Sequence, residues 1–94
     1  MTSTTAHVPT ANASKYMKQL CKHWSHKLDV KLEEDTAIVH FPDALAEMAA
    51  SDTELVVTVK AESSEMLDRM KDVVAKHLDR FAFREAPLSF NWSA

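Results

Sequence analysis

Residues 20–27, Leu-Cys-Lys-His-Trp-Ser-His-Lys, gather one thiol and two imidazoles, the densest grouping of ligand chemistry in this 94-residue chain. Thiolates and imidazoles hold zinc, and imidazole also suits iron. Spacing sorts these groups. On a helix each residue turns by about 100°, so Cys21 and His23 point to nearly opposite sides and cannot jointly grip one ion. His23 and His26, three apart, are neighbours on the polar flank and could share one metal, but two ligands without a third make a weak site. The alternative is a pair of solvated histidines beside Lys22 and Lys27, lysines that favour an anionic ligand, such as a ferric chelate carrying carboxylates or a haem propionate, over a bare cation. Cys21 stands mid-helix at the edge of the apolar face, away from the amide end that would activate it, and reads as a buried, inert thiol. A nucleophilic pair would need His77 or His40 to reach it, with no base or oxyanion donor in view.

His77 falls almost at the centre of the apolar stripe of a second helix, where burial penalises its charged form. It reads either as a neutral core histidine or as a ligand lining a pocket between helix and sheet. Arg80 and Arg84 follow, interleaved with Phe81 and Phe83. The arginines could pair with Glu85, Asp79 or Glu65, or clamp a carboxylate in bidentate fashion. The methionines fit core filling, and His7 and His40 sit on strands with no partner in view.

These residues need elements to position them. Thr4–Val8 reads as a first strand ended by Pro9, and Thr10 or Asn12 as the cap of the helix that follows. Ala13, Tyr16, Met17, Leu20, Cys21 and Trp24 recur in steps of three and one, one buried helical face. Leu28, Val30 and Leu32 alternate with polar residues, as do Ala37, Val39 and Phe41, with Glu33-Glu34-Asp35 as the hairpin turn between them. Residues 44–49 have a helical composition but the spacing of a further meander strand, and the strand reading is preferred. Leu55, Val57, Val59 and Ala61 form the clearest strand. Ser63 or Ser64 caps the second helix, whose stripe is Met66, Leu67, Met70, Val73, Val74, His77, Leu78 and Phe81. Pro87 starts a last strand in which Leu88, Phe90 and Trp92 alternate with Ser89 and Asn91. The order β-α-β-β-(β)-β-α-β, with one apolar stripe per helix, predicts an α+β two-layer sandwich. An antiparallel sheet of about four to six strands would carry both helices on one face of a single domain spanning residues 1–94.

Composition narrows the function classes. Hydrophobic residues make up 46% of the chain and charged residues 27%, a globular balance. With a formal charge of −3 and no basic block, the sequence disfavours nucleic-acid binding. It contains no glycine, which excludes glycine-rich phosphate loops and dinucleotide fingerprints. One cysteine forbids an internal disulfide, and no apolar run suits a membrane span or a signal peptide, so a cytoplasmic protein is expected.

Leu20-Cys21-Lys22-His23-Trp24 with His26, and His77-Leu78-Asp79-Arg80-Phe81-Ala82-Phe83-Arg84-Glu85, resemble the signatures of the small bacterial family catalogued as domain of unknown function 2218. Asn12-Ala13-Ser14-Lys15-Tyr16 and the closing segment with Trp92 match as well, and residues 42–53 depart from the family pattern by lacking a glycine-bearing strand. The resemblance covers nearly the whole chain and implies a compact α+β domain. It also implies a context of flavin-dependent siderophore-interacting reductases and iron uptake, and it carries no catalytic residues across. The expected function is an accessory domain in bacterial iron handling that binds an iron-bearing anionic ligand, a ferric siderophore or haem, or docks to such a reductase. His23, His26 and His77 are the candidate metal ligands; Lys22, Lys27, Arg80 and Arg84 are the candidate anion contacts, with Trp24 beside them. The competing expectation is a protein–protein interaction or homodimerisation module using the Val56/Thr58 sheet face or the last strand. A stand-alone enzyme is the least supported reading.

Overall fold

The structure, a computed structural model, describes residues 2–86 and 88–93. Its elements are β1 (Thr2–Pro9), α1 (Ala13–Trp24), β2 (Asp29–Leu32), β3 (Thr36–Phe41), β4 (Ala44–Ala50), β5 (Glu54–Ala61) and α2 (Ser64–Phe81). The strands form one antiparallel sheet in the order β1-β5-β4-β3-β2. β2 to β5 are a plain meander. β1, first in sequence, closes the sheet beside β5, and its connection to β2 passes through α1.

Alternation assigns the two faces of the sheet. Register aligns Thr4, Val59, Ala46, Val39 and Val30 in one cross-strand row, and Ala6, Val57, Met48 and Ala37 in the next. These inward residues are buried except Val30, which is half-buried. Both helices cover this face: Ala13, Tyr16, Met17, Leu20, Cys21 and Trp24 of α1 join Leu67, Met70, Val74 and Leu78 of α2 in one core. Ala44–Ala50 has helix-favouring composition, yet it pairs on both sides and puts Ala44, Ala46 and Met48 inside. Small inward side chains and two strand partners outweigh local propensity here.

Cap chemistry agrees with expectation at one helix and differs at the other. Ser63 is extended and its hydroxyl accepts the Met66 N–H at 3.1 Å, an ordinary N-cap. Asn12 occupies the corresponding position before α1, but its side chain caps nothing. Its amide donates instead to Glu85 at 3.2 Å, and the Thr10 hydroxyl accepts the Asn12 N–H at 3.1 Å. A distant carboxylate has displaced local capping.

Pro9 does not end β1 early; it is the last strand residue, opposite Glu54. The expected closing strand is reduced to a single antiparallel bridge, Ala6 to Trp92. Ser93 holds the segment in place, donating its N–H to Thr5 O at 2.8 Å and accepting the Thr5 N–H on Oγ at 2.9 Å. Pro87, expected to start that strand, lies outside the described residues. Among the described residues no helix is long and apolar enough to cross a membrane.

Candidate functional site

Helix ends decide which of the ligand-type residues meet. α1 stops at Trp24, and the turn that follows is closed by bonds from Lys27 N and Leu28 N to Trp24 O. His26 therefore lies beyond the last residue of α1, in the turn that follows it. His23 meets α2. Its ring lies 5.6 Å from the His77 ring and 5.8 Å, edge-on, from Phe81. Trp24, next to His23 and turned toward the core, lies 5.2 Å from His77 and packs edge-on to Phe41 at 5.1 Å.

His77 is half-buried at the border of the α2 stripe rather than at its centre. One turn back, the Val73 carbonyl sits 2.7 Å from Nδ1. A carbonyl can only accept, so Nδ1 carries the proton and Nε2 is left available. Trp24 is 6% exposed and belongs to the core, backing His77 rather than facing solvent. Lys22, His23, His26, Lys27, Arg80 and Arg84 are all exposed. Two imidazoles thus come together, but among the described residues no group of three histidine, cysteine or acidic side chains is placed to hold a metal ion. Cys21 is 1% exposed, and burial pushes its thiol up to about 11, the property of an unreactive core cysteine.

The arginines do not pair as the sequence suggested. α2 ends at Phe81, so Arg84 leaves the helix that carries Arg80. Among the described residues neither arginine is in an ion pair. Asp79 accepts the Leu88 N–H at 2.9 Å, fastening the chain after α2. Glu85 is held by a different set: the Thr10 hydroxyl at 2.9 Å, the Asn12 amide at 3.2 Å, and the Tyr16 hydroxyl. Those bonds, Tyr16 foremost, hold the Glu85 carboxyl below the usual carboxylate range, with burial opposing. The same bond raises the Tyr16 phenol above its ordinary value, helped by burial and the Glu85 charge.

Sequence reasoning missed this cluster because its members are about seventy positions apart. The available signal was that Asn12–Tyr16 and Glu85 lie in the segments carrying the family resemblance. Beside the cluster is a hollow of about 220 Å³ lined by Lys15, Tyr16, Gln19, Phe81, Phe83 and Arg84. Lys15, Gln19 and His23 follow one another at four-residue steps along α1. Phe81 both lines the hollow and touches His23, so the histidine pair and the hollow form one surface along the α1–α2 seam.

Residues 5–93 match the model of a family described as an uncharacterized protein conserved in bacteria, DUF2218. The chain belongs to this family. A solved relative, the NMR structure of PA4090 from Pseudomonas aeruginosa, is 33% identical and superposes with a TM-score of 0.85. The alignment covers 99% of this chain and 96% of that one. No curated protein matches the sequence. Of the segments on which the sequence resembles the family, 12–16, 20–24 and 77–85 meet along the α1–α2 seam, and the segment with Trp92 lies against β1 instead.

Proposed function

We propose that this DUF2218 domain is a binding module for an iron-bearing anionic chelate of the siderophore type, received along the seam between α1 and α2. The observation that carries the reading is the His23–His77 pair, with ring centres 5.6 Å apart across two helices and, among the described residues, no hydrogen bond to Nε2 of His77. Metal–imidazole bonds of about 2 Å put each ring centre roughly 3 Å from an ion, so rings at this separation could serve one. Two protein ligands are few for a bare ion but suffice for a chelate that brings most of its own donors. Lys22, Lys27, Arg80 and Arg84 would supply attraction to the ligand's negative charge.

The neighbouring hollow lies below the roughly 300–1,000 Å³ of sites that engulf drug-sized ligands. A chelate presenting one arm fits this better than an enclosed haem. The iron context comes from the family resemblance, which also suggests a flavin-dependent siderophore reductase as the partner and the cytoplasm as the compartment. Titration of the protein with ferric chelates and with haem, followed by absorbance, tests the reading. A ferric chelate should give saturable spectral change that His23→Ala and His77→Ala weaken by roughly tenfold each. Absence of any change at micromolar protein would sink it.

A second reading rests on the sheet's other face, which no helix covers among the described residues. Half-buried Ile38, Leu45 and Val56 lie there, with a shallow hollow of about 250 Å³ beside Thr36, Glu47, Ala49 and Thr58. A homodimer or a docked partner would use that face. Lys60–Glu47 and His7–Glu54 pairs and the Thr5–Thr58 bond break up its apolar surface, which is why the seam is preferred. Sedimentation as a strict monomer would count against the second reading.

A further inference from the structure

We infer that the hollow lined by Lys15, Gln19, Phe81, Phe83 and Arg84 binds a planar aromatic carboxylate, its ring against the phenylalanines and its carboxylate between the two cations. The inference rests on the proposed function only for what larger molecule would bear such an arm. The site itself stands on its own geometry.

Three observations carry it. The hollow, about 220 Å³, has room for a single substituted ring rather than a large ligand. Its apolar lining includes Phe83, which at 72% is the most exposed large apolar side chain among the described residues. A largely exposed phenyl ring at the rim of a concavity is surface that a stacking partner would remove from water. Lys15 and Arg84 also line it, and neither is in an ion pair among the described residues.

Arg84 lies with its guanidinium carbon 5.8 Å from the centre of the Phe83 ring, a contact that orders a fork suited to carboxylate. The adjacent carboxylate, Glu85, would repel an anion, but its oxygens accept bonds from Thr10 and Asn12 in the β1–α1 connection and from Tyr16, whose side chain also lines the hollow. Gln19 adds a neutral donor. A ring without a charge would forgo the cations, and a small anion without a ring would forgo Phe81 and Phe83, so the aromatic carboxylate is the class that uses both.

The test is titration with benzoate, followed by backbone amide NMR, with acetate and benzyl alcohol as partial ligands. Benzoate should bind with a dissociation constant of roughly 1 mM and shift amides of Lys15, Gln19, Phe81, Phe83 and Arg84. Arg84→Gln and Lys15→Gln, both at the rim of the hollow, should each weaken it by about fivefold with the spectrum otherwise retained. Lys60→Gln, on the opposite face of the sheet, should leave benzoate affinity unchanged. Shifts centred elsewhere, equal binding of acetate, or affinity unmoved in both charge variants would overturn the inference. Benzoate binding without ferric-chelate binding would overturn the proposed function and leave this site standing; chelate binding without benzoate binding would do the reverse.

Discussion

Glu85 shows how much one residue can depend on distant partners. Its carboxyl is held below the ordinary range by Tyr16, Asn12 and Thr10. A depressed folded pKa contributes stability that is fully present above the unfolded value of about 4.3 and is lost as pH falls through the lower folded value. Glu85→Gln should therefore flatten the acid limb of a melting-temperature-against-pH curve. An acid limb identical to that of the parent protein would show that the bonds to Tyr16, Asn12 and Thr10 do not form. Tyr16, raised in the fold, works in the opposite sense: its contribution is complete below about pH 10 and fades as pH rises through its folded value. Cys21 is the other residue with a clear consequence. Buried and pushed up to about 11, it should resist iodoacetamide in the native protein and react only on unfolding, as mass spectrometry after timed quenching would report.

Elements differ in what holds them. α2 begins with a working cap, so Ser63→Ala should cost about 1 kcal/mol in urea unfolding. α1 begins with an Asn12 whose side chain serves Glu85, so Asn12→Ala should act through that carboxylate. A double-mutant cycle with Glu85→Gln would register this as non-additivity, whereas simple addition would mean that Asn12 acts locally. Core packing under α1 matters more than either cap. Leu20 is fully buried, and Leu20→Ala should lose about 2–5 kcal/mol by the same measurement. β4 gives the instructive case of propensity overruled, because Ala44, Ala46 and Met48 fit beneath two helices between paired neighbours. Replacing Ala46 with Leu should cost about 1–3 kcal/mol through overpacking.

At the scale of the whole molecule, β5 is the centre of stability. It is paired along its length by β1 and β4, and Leu55, Val57, Val59 and Ala61 are fully buried. β2 is a four-residue edge strand with Leu32 44% exposed. Native-state hydrogen exchange should find the slowest amides in β5 and the fastest strand amides in β2; protection spread evenly over the sheet would contradict this layout. The opposite edge, β1, is partly shielded by Trp92 and Ser93, which limits strand addition there.

The sequence by itself determined the α+β class, the two striped helices, a serine cap at Ser63 or Ser64 and the inert Cys21. Each rests on a local period or a local residue preference, which short stretches of chain express directly. Only the tertiary structure decided that α1 ends at Trp24 with His26 in the turn beyond it, that His23 meets His77, and that Arg84 departs from Arg80 to line a hollow with Lys15. It alone brought Thr10, Asn12 and Tyr16 onto Glu85. Those contacts join side chains far apart in the chain, and they exist because both helices are pressed side by side onto one sheet face. No periodicity within either helix encodes which of its flanks will meet the other.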